Sequence, residues 1–294
     1  MVKVKVLVTG AAGQVGRELV KLAPAGFEVL GCSSSQLDIT DAAQIQQYMT
    51  DFQPELIINA AAYTAVDRAE SEPEKAYAIN EQGVTLLAQA AEAAQIPLLH
   101  ISTDYVFNGS DTHPYRETDP TAPSSVYGLS KLAGEQALAQ FCTRYIILRT
   151  SWVFGTEGNN FVKTMLRLGA EREQLSVVAD QQGCPTSAGS IAAALWALSE
   201  RYVAQHDLPW GIYHFSNSPA TTWYDFASEI FRQAKAQGVL ETIPQLSAIG
   251  TEDYPTPAKR PAWSVLDCSK FEAFMSEPVL SWQSELSAVI GTLK

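Results

Sequence analysis

An apolar run that breaks at once into evenly spaced glycines opens the chain: "VKVKVLVTGAAGQVGREL". Val4 to Val8 first alternate and then run continuously apolar, the pattern of a parallel strand buried on both faces. Gly10, Gly13 and Gly16 follow with Gln14 and Val15 between them, and helical composition comes next. In a strand–loop–helix unit, the first glycine permits the tight turn and the second lets the backbone approach a pyrophosphate. The third lets the helix pack closely on the strand. A glycine triplet alone also fits a tight turn that binds nothing. Its place between strand and helix favours a dinucleotide site, and it predicts an α/β fold with a Rossmann-like doubly wound parallel sheet.

The next strand, near Phe27 to Gly31, ends in "GCSSSQLDIT". No acid stands at its immediate end, where an NAD site often holds the ribose 2′-hydroxyl. Cys32, Ser33 and Ser34 would not repel a 2′-phosphate, and no arginine follows in that segment. The reading is NADPH, with NADH also usable. Asp38 and Ile39 lie one loop further on, where they can reach an adenine. A third apolar strand, Leu56 to Asn59, runs into Ala60, Ala61 and Ala62, small residues that let a cofactor lie against backbone or that pack beneath a helix. Tyr63 and Thr64 follow at the same rim, and Asn80 lies in the helix beyond.

"IPLLHISTDYVFNGS" places a strand over Leu98 to Ile101, with Ser102, Thr103 and Asp104 at its carboxyl end, where open α/β sheets bind ligands. Taken by themselves, these three residues are better accounted for by strand-end capping. After Pro123, "YGLSKLAGEQALAQ" is helical in composition, so Tyr127 and Lys131, four apart, share a face. An ammonium beside a phenol favours the phenolate, and a phenol so tuned can protonate a developing alkoxide. The same spacing also occurs on exposed helices.

These motifs together resemble the extended short-chain dehydrogenase/reductases. "GAAGQVG", "NAAAYTAVDRAE", "STDYVFNG", "VYGLSKLAGE", "LRTSWVFG", "NNFVKTML", "DQQGCPT" and "RPAWSVLD" carry the resemblance from Val4 to Asp267. They are similar to the members that reduce keto groups of nucleotide sugars. The resemblance implies hydride transfer from NAD(P)H to the 4-keto carbon of dTDP-4-dehydro-L-rhamnose, the last step of dTDP-L-rhamnose synthesis. It makes Thr103 the catalytic hydroxyl, Tyr127 the acid and Lys131 its partner. It implies cofactor contacts at Gly13, Gln14, Val15, Asp38, Ile39, Ala62, Tyr63 and Thr64, and substrate contacts at Asp104, Tyr105 and Trp152. Tyr63 departs from the pattern, since relatives often carry histidine there. A reductase or epimerase for another nucleotide sugar, or a cofactor-binding regulator, stays open as an alternative.

Beyond "YIILRTSWVFG" the character changes, and a smaller, partly interleaved substrate domain is expected. The expected division is 1–152 for the cofactor and 153–294 mainly for the substrate, with some segments returning to the first domain. Trp152 and Arg260 are candidates for sugar and diphosphate contacts, and residues 243–261 show little periodicity. A net charge of −12 without a basic patch argues against nucleic acid as the main partner. No apolar window is long enough to span a membrane, no leader is expected ahead of the first strand, and the four cysteines are scattered. A cytoplasmic protein with reduced thiols is expected. The four histidines lack metal-ligand spacing, so no catalytic metal is expected. His100 reads as a strand residue with its ring hydrogen-bonded. The sequence does not specify the oligomer, and a homodimer is kept as the candidate state.

Overall fold

Six parallel strands form the central sheet of the computed structural model, which describes residues 3–293. The first half runs β1 (Val4–Thr9), α1 (Gln14–Lys21), β2 (Phe27–Cys32), α2 (Ala42–Phe52), β3 (Leu56–Asn59), α3 (Gly83–Ala94), β4 (Leu98–Thr103), α4 (Val126–Phe141) and β5 (Tyr145–Thr150). The second half adds α5 (Phe161–Glu171), β6 (Gln174–Val178), α6 (Ala188–Gln205), β7 (Gly211–His214), α7 (Trp223–Ala236), β8 (Gln245–Ile249) and α8 (Trp282–Thr292). The sheet order is β7-β5-β4-β3-β1-β2. The order reverses at β1, and ligands of such sheets bind at the carboxyl ends beside that switch point.

The apolar runs read from the sequence are the centre of this sheet. Val6, Leu7, Val8, Leu56, Ile57 and Ile58 are all fully buried. Helix starts follow local chemistry: the Asp41 carboxylate accepts from the N–H groups of Ala43 and Gln44, and the Ser125 hydroxyl accepts from Gly128. One helix is less regular than its composition suggests. Residues Ala78–Gln82 form a π-helical turn ahead of α3, and Asn80 lies in that turn, fully buried. Gly134 of α4 lies against the Asn80 carbonyl, where any Cβ would collide with it.

Residues after Trp152 contribute to two places. β7 pairs with β5, and α6 packs on α1, with the Trp196 indole donating to the Leu19 carbonyl at 2.9 Å. A separate core forms around Phe154, Val162, Phe226, Phe231 and Trp282. The segment 243–261, with little periodicity in its sequence, holds β8, which runs parallel to β6 as a two-stranded ribbon. None of its five residues is buried, and Gln245-Leu246-Ser247-Ala248 gives only a short alternation in the sequence. Its partner strand supplies the order.

α4 is tied to the sheet by charge. Arg149 of β5 donates from Nε and Nη2 to the Glu135 carboxylate at 2.9 and 2.6 Å, with both side chains almost fully buried. Breaking such a pair from one side leaves an uncompensated buried charge. Glu135→Ala is expected to lose about 3–5 kcal/mol of stability in denaturant unfolding, and a paired Glu135→Leu/Arg149→Met exchange to lose less than either single change.

Candidate active site

The glycine loop presents bare backbone at the carboxyl rim. Gly13 caps α1 without any side-chain bond, so the first N–H groups of the helix are available to an anion. Gly10 has φ +70°, and a Cβ there would run into the backbone of Ala60 and Ala61 at 2.5 Å. Val15 and Gly16 are buried under the loop. Gln14 Oε1 accepts from the Asn160 side chain at 2.9 Å, and Asn160 also caps α5, so the loop is coupled to the second half of the chain.

The rim beyond β3 is held by two asparagines. Asn59 Oδ1 accepts from the Ala61 N–H at 3.0 Å. Asn80 pairs with the Tyr63 backbone in both directions, at 2.8 and 3.1 Å, and donates to Ser130 Oγ of α4 at 3.0 Å. This fixes Ala62 and Tyr63 against α4. The Tyr63 hydroxyl is engaged with Glu72 at 2.8 Å, and Thr64 is exposed. The side chains of Asp38 and Ile39 do not both face the rim: Ile39 is buried in the core, and the Asp38 carboxylate accepts from Thr40.

A cavity of about 480 Å³ opens beside the loop, lined in part by Ala12, Arg17, Lys21, Ser33 and the acids Glu18 and Glu157. The expectation that no arginine stands near Ser33 is corrected here. Arg17 comes from α1, one turn past the loop, and reading along the second strand alone could not bring it there.

At the end of β4 the Thr103 hydroxyl donates to Asp104 Oδ1 at 2.9 Å. Burial pushes the Asp104 carboxyl up to about 7, with the Thr103 and Ser264 hydroxyls pulling the other way. Its Oδ2 is buried without a partner, as are Ser102 Oγ and Thr150 Oγ1 at the same rim. Thr150 is the register partner of Thr103 on β5. The Tyr127 ring meets Tyr105 edge-on at 5.5 Å. Burial holds the Tyr127 phenol well above its ordinary value, and its contact with the Thr103 hydroxyl counters only part of that rise.

The structure differs here from the spacing argument. Lys131 does not pull the Tyr127 phenol down. Its ammonium nitrogen reaches beneath the sheet rim, 2.8 Å from the Ile101 carbonyl and 3.1 Å from His100 Nε2. Burial lowers Lys131 to about 8, with Glu135 one turn on pulling it back. Sharing a helix face put the two side chains near one another, but the partners of each are supplied by β4.

Arg260 is brought from the far end of the chain to this rim. It donates to the Tyr105 hydroxyl at 3.1 Å and to Asp67 at 2.6 Å. Trp152 stands two residues past β5 with φ +46°, its ring stacked on Trp223 at 3.6 Å. Sequence reasoning missed Trp223, Asp67 and Asn59. Asn59 had a signal, a polar residue closing an apolar strand, while Asp67 and Trp223 acquire their places only through long-range packing.

Residues 4–294 match the family described as the RmlD substrate binding domain. The chain belongs to the dTDP-4-dehydrorhamnose reductase family. One curated relative, a dTDP-4-dehydrorhamnose reductase of Aggregatibacter actinomycetemcomitans, is 48% identical, covering 97% of this chain and 98% of its own. The dTDP-4-dehydrorhamnose reductase structure from Clostridium acetobutylicum superposes with a TM-score of 0.90 at 38% identity, over 98% of this chain and 99% of that one. The Bacillus anthracis enzyme of the same name, solved in complex with NADP, gives 0.88 at 38% identity over 98% of each chain. The fold expected from the sequence and the family resemblance are both borne out by these matches.

Asp104 yields a test. Its folded value is raised from 3.8 to about 7, so the folded state holds that proton more tightly across this window and loses relative stability as the pH rises through it. Asp104→Asn carries no such proton. Thermal unfolding is expected to shift in favour of the variant, relative to wild type, between about pH 4 and about pH 8. An offset equal at both ends would show that the buried carboxyl is not the titrating group.

Proposed function

We propose that the chain reduces the 4-keto group of dTDP-4-dehydro-L-rhamnose to dTDP-L-rhamnose, using NADPH in the cytoplasm. The family and the relatives' names support the reaction. The observation that carries the residue assignments is the meeting of Tyr127 and Thr103 at the end of β4, on the rim that also holds the glycine loop.

The residues present fit the dinucleotide. The uncapped start of α1 and the loop Gly10, Gly13, Gln14, Val15 and Gly16 suit the pyrophosphate. Ala60, Ala61, Ala62, Tyr63 and Thr64 line the adjoining rim, the backbone of Asp38 and Ile39 suits the adenine side, and Lys131 suits the nicotinamide ribose. Arg17 and Lys21, paired here with Glu157 and Glu18, can turn with Ser33 to a 2′-phosphate in the one cavity they line. When bound, NADPH supplies the hydride that the keto carbon receives.

The chain's own part is proton delivery and orientation. With its phenol raised by burial, Tyr127 enters the reaction carrying its proton. An alkoxide is a stronger base than a phenolate, so transfer to the developing oxyanion runs downhill. Thr103 hydrogen-bonds the same oxygen and thereby gives up its bond to Asp104. In its ammonium form, present below about pH 8, Lys131 stabilises the site with positive charge. Tyr105, Asp104 and Trp152 form the sugar side, and Arg260 can exchange Asp67 for a phosphate oxygen. The second core, built largely from residues after Trp152, is the substrate-binding half of this arrangement.

Tyr127→Phe is expected to lose about 10²–10⁴-fold in turnover while NADPH still quenches protein fluorescence with unchanged affinity. Full activity in that variant would remove Tyr127 as the acid, and faster turnover of another 4-keto nucleotide sugar in a substrate panel would displace the rhamnose assignment. Arg17→Ala is expected to weaken NADPH binding about tenfold or more and to leave NADH binding nearly unchanged. Equal losses for both cofactors would place the 2′-phosphate elsewhere.

A further inference from the structure

Four buried side chains form one continuous hydrogen-bonded line from the first strand to the catalytic helix. Thr9, Asn59 and His100 are register neighbours across β1, β3 and β4. Thr9 Oγ1 donates to Asn59 Oδ1 at 2.6 Å, Asn59 Nδ2 lies 3.0 Å from His100 Nδ1, and His100 Nε2 lies 3.1 Å from Lys131 Nζ. Each of the four is 1% exposed or less.

The direction of this line is fixed at one end. The Ala61 backbone N–H donates to Asn59 Oδ1 and cannot turn round, so the asparagine oxygen must face it. The amide nitrogen of Asn59 therefore faces His100, and an amide nitrogen only donates. His100 Nδ1 must accept. Burial alone holds His100 below its ordinary value, so the ring is neutral and carries its one proton on Nε2. That proton points at Lys131. A neutral amine has a lone pair to receive it and still donates to the Ile101 carbonyl. An ammonium has none, and would set two donors face to face in a site without water to separate them.

We propose that His100, locked in one tautomer by Asn59, is a positioning residue that sets the protonation of Lys131, favouring the amine and so making cofactor binding sensitive to pH. The inference rests on the reading of Lys131 as a cofactor-site residue. The other charged or titratable groups around Lys131 are Tyr127 and Glu135, one turn before and after it on α4. Glu135 is paired with Arg149 of β5, and Asp104 and Tyr105 approach from the Tyr127 side. Of these groups, the Glu135 charge is the one that favours the ammonium. The value of about 8 for Lys131 follows from burial and Glu135, and the His100 proton acts in the same direction as burial.

Nitrogen-15 NMR of the unmodified protein with labelled histidine tests the tautomer directly, since the chain has four histidines to assign. His100 is expected to show a bare Nδ1 and a protonated Nε2 across neutral and mildly alkaline pH. A protonated Nδ1 would overturn the proposal. The effect on Lys131 is read from NADPH affinity against pH in wild type, Asn59→Asp and His100→Gln. Asn59→Asp keeps the acceptor for Thr9 and Ala61 but turns the other atom into an acceptor, which reverses the ring and lets Nε2 receive from an ammonium. His100→Gln can turn its amide oxygen to Lys131. As the pH rises, wild-type affinity is expected to begin weakening below about pH 8, and both variants to move that break upward by about one pH unit, to about 8 or above. A merely structural role would weaken binding evenly and leave the break in place, which would overturn the proposal even with the expected tautomer. No NADPH binding at any pH would instead overturn the cofactor reading, leaving the NMR result to judge the tautomer.

Discussion

Arg149 and Glu135 meet beneath α4 in a nearly solvent-free contact, and the position of the catalytic helix depends on it. Two long charged side chains are removed from water there, and their bidentate geometry is what offsets that cost. The pair fixes how α4 lies on β5. Gly134 then allows the helix to approach the turn holding Asn80, and Ser130 receives the Asn80 amide. With the helix held at three points along its length, Tyr127 and Lys131 have little freedom in where they meet β4.

Burial is also what gives the site its chemistry. The same dry rim keeps a proton on Tyr127, raises Asp104 and lowers Lys131. All three shifts favour the uncharged form, and the Arg260–Asp67 ion pair stands at the edge of the same rim. Polar atoms left without partners at the carboxyl ends of β4 and β5 mark where a ligand would complete the hydrogen bonding.

Much of this was legible in the chain. The strand boundaries at Val4 and Leu56, the glycine loop and the pair Tyr127 and Lys131 follow from local rules: apolar runs, turn chemistry and helical spacing. The ribbon strand β8 was not legible, because an exposed two-stranded ladder needs no apolar alternation. Arg17 was missed for a different reason. Ser33 lies just past the end of β2, and only the packing of α1 beside β2 brings the two to one cavity.

The sequence by itself determined the parallel sheet, the glycine loop and the proposed pair Tyr127 and Lys131, because each is written in residues close together along the chain. The tertiary structure decided what those side chains do to one another. Spacing placed Lys131 beside Tyr127 on a helix face, but β4 turned the lysine toward Ile101 and His100, and burial moved the phenol in the opposite direction from that expected. Proton affinity depends on the groups and the solvent within a few ångströms of an atom, and the fold gathers those from strands far apart in the chain.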